Sequence, residues 1–312
     1  GVRLDVNGAI PTGSALTVNG FGTDGYAEFM TSSSIASLTG AGHVVVINHE
    51  TLTVGSDNTN TVFSGVISDS TFGVDLRSQG VPGGALMKIG TGTLTLSGAN
   101  NYFAGTTISA GTLQIGANGT SGSIASSSAV IDNGVLAFNR SDNTSVSGSI
   151  SGIGSLTKLS AGVLTLTANN SLSGLVTISA GTLQLGNGSA AGSVSNTTAI
   201  VDNGTLVFDN NNTASYPSVI SGYGSLVQFG SGNLIIATND TYSGNTVVSN
   251  GTMTLTASGS ISNTASITVK GGALLDVSAV CGGLALRSAS PAEILASRCW
   301  RMRWRPGPCS TC

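Results

Sequence analysis

A 70-residue offset recurs in several separate segments of this 312-residue chain, and it constrains the fold more than any other feature. The pattern Gly-x-Leu-x-Leu at residues 92–96 returns at 162–166 and, as Gly-Asn-Leu-Ile-Ile, at 232–236. The segments that begin at Ala110, Ile131 and Ile150 keep the same offset. Independent segments with one common spacing indicate internal repeats, which bury their apolar faces by stacking on one another.

A finer period divides each repeat. Leu94, Leu113, Leu136 and Leu156 each follow a glycine closely, and their sequence numbers rise in steps of 19, 23 and 20. In each short strand the leucine and the next-but-one residue face one way, and the residue between them faces the other. Such a strand is stable only when it is stacked about 4.8 Å from a copy of itself. The sequence therefore predicts an all-β parallel β-helix, a solenoid of about 20–23 residues per coil.

The same alternation predicts which side chains form the core. The intervening threonines are expected to be exposed. The residues expected to be buried are Leu94, Leu96, Leu113, Ile115, Leu164, Leu166, Leu183 and Leu185.

Asparagine and glycine mark the predicted turns. Asp132-Asn133-Gly134 and Asp202-Asn203-Gly204 supply residues that tolerate a positive φ, and a turn between coils is preferred there to a β-hairpin. Three further pairs lie at matching places in the repeats, and amides that bond neighbouring backbone are preferred there to calcium ligands, because calcium needs several carboxylates together. These pairs are Asn100-Asn101, Asn169-Asn170 and Asn239-Asp240.

The charge pattern excludes several classes of function. Only 8% of the residues are charged, and residues 1–280 form no basic patch that could follow a phosphate backbone, so nucleic acid is not an expected partner. His43 and His49 lie in one segment and are expected to be surface residues of a strand, with a weak metal pair as the alternative. No nucleophile elbow or phosphate-binding loop is found. We therefore predict no catalytic, cofactor-binding or metal-binding residues, no cofactor and no enzymatic activity.

Residues 90–102 (Gly-Thr-Gly-Thr-Leu-Thr-Leu-Ser-Gly-Ala-Asn-Asn-Tyr) and 105–116 resemble the autotransporter-associated β-strand repeat of bacterial type V secretion. The pattern returns at 160–186 and 230–257, and residues 63–67 resemble the segment that leads into it. The resemblance implies a right-handed β-helix, exported through an outer-membrane translocator barrel to the surface of a Gram-negative bacterium. It brings no catalytic residues with it. The signal segment and the barrel of that family are not found in this chain.

The composition changes after residue 280. Residues 1–280 are predicted to form the β-helix, with repeats at about 90–160, 160–230 and 230–280, and an insertion at 69–82 that is a candidate binding loop. Residues 281–312 form a short irregular or helical tail, interpreted as an out-of-frame or truncated extension that adds no coil. The alternative is a basic helix that begins at Ser290 and lies on a membrane. The tail contains Cys281, Cys299, Cys309, Cys312, Trp300, Trp304, Arg298, Arg301 and Arg305.

Two functional hypotheses follow. The first is a non-catalytic passenger fragment, secreted or displayed at the cell surface, that serves as a stalk or adhesin-type scaffold for host-cell, matrix or polysaccharide ligands. The second is a carbohydrate-active β-helix protein resembling pectate lyases, which abstract a proton with clustered bases and cations. Six cations in residues 1–280 do not readily supply that cluster, so the first hypothesis is preferred.

Overall fold

The structure is a computed structural model, and it describes residues 3–5, 10–11, 13–20, 26–69, 83–125, 127–188, 192–195, 197–280, 294–296 and 302–303. The chain divides into two compact units, Gly1–Gly162 and Val163–Cys312. Every regular element among the described residues is a β-strand, and none is a helix.

The first unit contains strands β1 to β18, which pair in parallel. Their orders within the unit are β1-β3-β6-β9, β4-β7-β10-β12-β14-β17, β8-β11-β13-β15-β18 and β2-β5. The strands are β1 (Arg3–Asp5), β2 (Ala15–Thr17), β3 (Tyr26–Phe29), β4 (Ser33–Ile35), β5 (Ser37–Thr39), β6 (His43–Val46), β7 (Thr51–Val54), β8 (Thr61–Phe63), β9 (Val66–Ser68), β10 (Ala85–Lys88), β11 (Thr93–Leu96), β12 (Gly105–Ile108), β13 (Thr112–Gly119), β14 (Val130–Asp132), β15 (Val135–Arg140), β16 (Thr144–Val146), β17 (Ile150–Gly152) and β18 (Ser155–Lys158).

The second unit contains strands β19 to β35, which also pair in parallel. Their orders within the unit are β20-β23, β21-β24-β27, β19-β22-β25-β28-β30-β32-β34 and β26-β29-β31-β33-β35. The strands are β19 (Val163–Leu166), β20 (Asn169–Leu172), β21 (Val176–Ile178), β22 (Thr182–Leu185), β23 (Ser193–Val194), β24 (Ile200–Asp202), β25 (Thr205–Phe208), β26 (Thr213–Tyr216), β27 (Ile220–Ser221), β28 (Ser225–Gln228), β29 (Asn233–Ile236), β30 (Thr246–Val248), β31 (Thr252–Leu255), β32 (Ile267–Val269), β33 (Leu274–Asp276), β34 (Ile294–Ala296) and β35 (Met302–Arg303).

The register of these strands confirms the predicted coils. Leu94 lies opposite Leu113, Leu113 opposite Leu136, and Leu136 opposite Leu156, so each step from one of these leucines to the next is a single turn of a solenoid. A second column in the other unit runs through Leu164, Leu183, Leu206 and Leu226. Burying one leucine contributes about 1.5–3 kcal/mol, so these columns supply much of the stability of each unit.

All eight residues predicted to form the core are at most 1% exposed. The prediction that the intervening threonines are exposed is wrong for Thr95, which is 6% exposed, whereas Thr165 is half-buried. Thr95 lies between Val62 and Gln114 of the adjoining strands. The outward side chains of neighbouring coils lie about 5 Å apart, so these larger residues cover the threonine.

The Asp-Asn-Gly segments are corners within a coil and not hairpins, because β14 and β15 belong to different parallel sheets. The predicted positive φ is not found at Asn133 or Gly134; it occurs instead at Gly111, with a φ of 66°. The Asp132 carboxylate accepts a hydrogen bond of 3.0 Å from the Gly134 N–H, which forms the turn without a left-handed residue. Gly134 is required because a Cβ there would lie 2.5 Å from the Gly111 carbonyl oxygen.

The part of the tail that the structure describes corrects one prediction. Residues 281–312 were expected to add no coil, but β34 stacks on β32 and β35 on β33, where Leu275 lies opposite Met302. The open edges of β32 and β33 can pair with any segment that adopts an extended conformation. Composition alone does not reveal such pairing. The four cysteines, the predicted helix start at Ser290 and the insertion after Asp69 lie outside the described residues.

Candidate functional site

A buried asparagine joins three successive coils of the first unit. The Asn100 side-chain oxygen accepts a hydrogen bond of 2.8 Å from the Ile67 N–H. Its amide nitrogen donates to the Gly98 carbonyl at 3.0 Å and to the Ser123 carbonyl at 2.9 Å. Asn170 donates in the same way to Ala168 and Ser193. The expectation that these amides hydrogen-bond neighbouring backbone is therefore confirmed for Asn100 and Asn170.

Asp240 occupies the corresponding place in the third repeat. One carboxylate oxygen accepts hydrogen bonds of 2.9 Å from the Ile220 N–H and from the Thr238 hydroxyl. The other oxygen is buried and has no hydrogen-bond partner among the described residues. Burial raises the pKa of Asp240 to about 6, because a charged carboxylate loses its hydration there.

Two further buried aspartates form the corners of the coils. Asp132 and Asp202 are 0% exposed, and each accepts a hydrogen bond from the N–H of the glycine that ends its Asp-Asn-Gly segment. Their second oxygens have no hydrogen-bond partner among the described residues. Burial raises the pKa of each to about 6. Full burial keeps both carboxyls away from any substrate, so they cannot act as surface acid–base groups.

Buried cations bind backbone carbonyls at one position of the repeat. Lys88 and Lys158 are 1% exposed, and burial lowers the pKa of each ammonium group. The Lys88 ammonium donates to the Ile89 carbonyl at 2.6 Å, and the Lys158 ammonium donates to the Ser160 carbonyl. Gln228 takes the place in the third repeat and donates to Gly230 at 2.9 Å. These cations close turns, and sequence reasoning did not identify them as buried.

The two histidines do not form a metal pair. His43 lies in β6, is 6% exposed, and its Nε2 lies 2.6 Å from the Ser68 hydroxyl. The expectation that it is a surface residue is therefore wrong, because all four residues of β6 are buried. His49 is exposed and lies after the end of β6, with a φ of 63°, so the two residues do not share a strand. Burial lowers the pKa of His43.

A polar groove lies beside β26 in the second unit. Its volume is about 360 Å³, and a continuous run, 212–216, forms one wall. Gly192, Ser193 and Ser195 lie on the facing side, together with Asn169 and Asn210. The strands on the two sides, β23 and β26, are each the end strand of a sheet. The groove is thus a gap where one sheet has ended and another begins.

An equivalent groove of about 370 Å³ lies in the first unit. It is lined by Thr144 and Ser145 of β16, by Asn100, Asn101 and Phe103, and by Ser123, Ile124, Ala125 and Ser127. Strand β16 is also the end strand of its sheet. Ser123 and Ser145 correspond to Ser193 and Ser215 at the 70-residue offset, so the repeat builds the same feature twice.

The wall of each groove is tied down by a side chain at one repeat position. Arg140 donates to the Gly122 carbonyl and, at 2.8 Å, to the Thr120 carbonyl. Asn210 holds the corresponding position in the next repeat, where it donates to the Gly192 carbonyl at 3.1 Å and accepts from the Gly192 N–H at 3.2 Å. Different side chains thus bond the glycine at the same repeat position, Gly122 in one repeat and Gly192 in the next.

The described ranges offer no group of three His, Cys, Asp or Glu placed to hold a metal ion. They also contain no helix that is long and apolar enough to cross a membrane. Sequence analysis did not find the grooves, because they arise from the end of one sheet and the start of another. The available signal was the repeated, uncharged Ser-rich stretches at 123–127 and 193–195.

Comparison with known proteins agrees with this architecture. The model of the passenger-associated transport repeat matches residues 86–115, 156–185 and 226–255, which keep the 70-residue offset. The adhesin BmaC autotransporter of Brucella suis biovar 1 (strain 1330) is 40% identical over 241 residues. The alignment covers 70% of this chain and 7% of that relative, so the chain spans only a small part of its length. No solved structure matches.

The matched segments contain all the leucines of the two columns except Leu136 and Leu206, whereas most of each groove lies between the segments. The resemblance that residues 90–116 indicated is confirmed by the repeat matches and by the relative. The chain therefore carries the β-strand repeats of autotransporter passengers, stacked as coils.

Proposed function

We propose that this chain is a non-catalytic, adhesin-type segment of a passenger that is displayed on, or secreted from, a Gram-negative bacterium. The observation that carries the proposal is the repeated register of leucine columns, which makes each unit a solenoid whose described coils are interrupted by a solvent-open groove. The adhesin relative supports the same function. Its partners are surface components of other cells or of the matrix.

The buried charges argue against the carbohydrate-lyase alternative. That chemistry needs a carboxylate and a cation that both reach the substrate. Asp132, Asp202, Lys88 and Lys158 are at most 1% exposed and bind backbone groups. The grooves in the described part of the chain are lined by uncharged residues.

Adhesion can be tested with the full chain coupled to latex beads. Beads that carry the parent chain should be retained on epithelial monolayers or on immobilised matrix protein. Beads that carry the Leu164→Asp variant, which disrupts a leucine column, should be retained less. Equal retention of parent-coated, variant-coated and uncoated beads would refute an adhesive role.

A further inference from the structure

The repeated grooves leave the edge of a strand open. Strand β26 is the end strand of its sheet and pairs only with β29 among the described strands. An open edge presents unpaired N–H and C=O groups, which form a template for another strand. Residues 212–216 line the groove beside β26, which has a volume of about 360 Å³.

The backbone groups that face the groove can be assigned from the register. The Asn233 N–H of β29 donates to the Asn212 carbonyl at 3.2 Å. In a parallel ladder, alternate residues direct both backbone groups to the same neighbour. Ala214 therefore faces β29, whereas Thr213 and Ser215 direct their N–H and C=O groups into the groove. Neither of these two residues has a backbone partner on that side within the described ranges.

The side chains across the groove are already engaged. The Ser195 hydroxyl donates to the Asn170 carbonyl at 3.0 Å, and the Asn210 amide uses both of its ends on Gly192. The N–H and C=O groups of β26 that face the groove are therefore open to a backbone partner, beside the exposed side chains of Asn212, Thr213 and Ser215. Because the lining residues are uncharged, the bound segment should be uncharged as well.

We propose that the groove beside β26 binds an extended, uncharged segment of a partner protein, which adds to the open edge as a new strand. The equivalent groove beside β16 takes the same kind of segment. In such strand addition, the main-chain hydrogen bonds supply affinity and the alternate side chains supply limited specificity. The proposal deepens the adhesin function by naming the class of partner, and it rests on that function only for the origin of the segment.

The test uses the full chain and a library of acetylated, amidated heptapeptides built from Ser, Thr, Asn and Val. Peptides enriched on the parent chain are measured by fluorescence anisotropy against two variants. Ser215→Pro removes the N–H that faces the groove, and proline is tolerated on such an edge. Ser215→Ala keeps that N–H and removes only the hydroxyl. Matching melting curves of the two variants show that both remain folded.

We expect Ser215→Pro to weaken peptide binding about tenfold, as the loss of one main-chain hydrogen bond implies. Ser215→Ala should change it less than about twofold, and a peptide N-methylated at alternate residues should not bind. Absence of any enriched peptide, or equal losses in the two variants, would overturn the proposal. Dextran binding that is lost in Ser215→Ala would assign the groove to a neutral glycan instead.

The outcome separates this proposal from the adhesin function. Peptide binding in solution together with unretained beads would leave the groove assignment standing and refute adhesion. Retained beads without peptide binding would support adhesion and refute the groove assignment.

Discussion

Replacing Asp240 by asparagine should stabilise the second unit strongly at neutral pH and weakly in acid. Asn100 and Asn170 hold the same place in the earlier repeats, and each donates from its amide to two carbonyls. The Asp240 carboxylate cannot donate, and one of its oxygens is buried without a partner among the described residues. Asp240→Asn keeps the acceptor that bonds Ile220 and supplies the missing donor.

The magnitude follows from the raised pKa. A carboxyl with a pKa of about 6 in the folded chain and 3.8 in the unfolded chain binds more protons when folded, so stability is highest below about pH 4 and falls as the pH rises to about 6. The loss is about 3 kcal/mol at pH 7.5 and about 1 kcal/mol at pH 4.5. The asparagine variant should therefore gain about 2 kcal/mol more at pH 7.5 than at pH 4.5.

The assay is urea denaturation of parent and variant at both pH values, because the difference between them cancels the titration of Asp132 and Asp202. Asn100→Asp provides the reverse substitution in the first unit, and it should lose about 2 to 3 kcal/mol at pH 7.5. A gain in Asp240→Asn that is the same at both pH values would refute the buried charge as its cause. No gain at all would refute the equivalence of the two positions.

Three other predictions follow from the core, the buried cations and the last strands. By urea denaturation, Leu164→Asp should lower the free energy of unfolding by about 4 kcal/mol or more, and Thr165→Asp by less than about 1 kcal/mol, because only the leucine is fully buried. Equal losses would refute the assignment of these two side chains to opposite faces of the strand. Lys158→Gln should leave the melting temperature nearly unchanged, since Gln228 bonds the same turn in the third repeat, whereas Lys158→Met should cost about 1 to 2 kcal/mol. Deletion of residues 281–312 should lower the melting temperature and promote self-association by sedimentation, because β32 and β33 lose their outer strands; an unchanged melt would contradict this.

The stacking of the coils was predictable because it depends on a short rule. A leucine that must face the core in every coil can occupy only a few sequence positions. The spacing of Leu94, Leu113 and Leu136 therefore determined both the register of their strands and the burial of their side chains. The hydrogen bonds of the asparagine amides were predictable for a similar reason, because the backbone groups of a turn need side-chain hydrogen-bond partners.

The buried charges were not predictable, because a lysine or aspartate in a strand pattern is ordinarily assigned to solvent. Lys158 and Asp202 are buried only because carbonyls and N–H groups of neighbouring turns converge on them, and convergence is a property of the assembled coil. The grooves escaped prediction for the same reason. They depend on where β23 ends one sheet and β26 begins another, and no residue pattern marks those ends.

Comparison of the first two copies of the 70-residue unit distinguishes the residues that the fold requires from those that line the groove. The leucines of the columns are retained, as Leu94 and Leu164 show, because any change leaves a void or an overlap in a stacked layer. Other positions that line both grooves differ: Ala125 is replaced by Ser195 and Thr144 by Ala214 at the same offset. Both copies nevertheless have a serine at the position whose N–H faces the groove, which is Ser145 in the first copy and Ser215 in the second. A site that binds through its backbone tolerates such variation of side chains, whereas a site that binds through a fixed set of side chains does not.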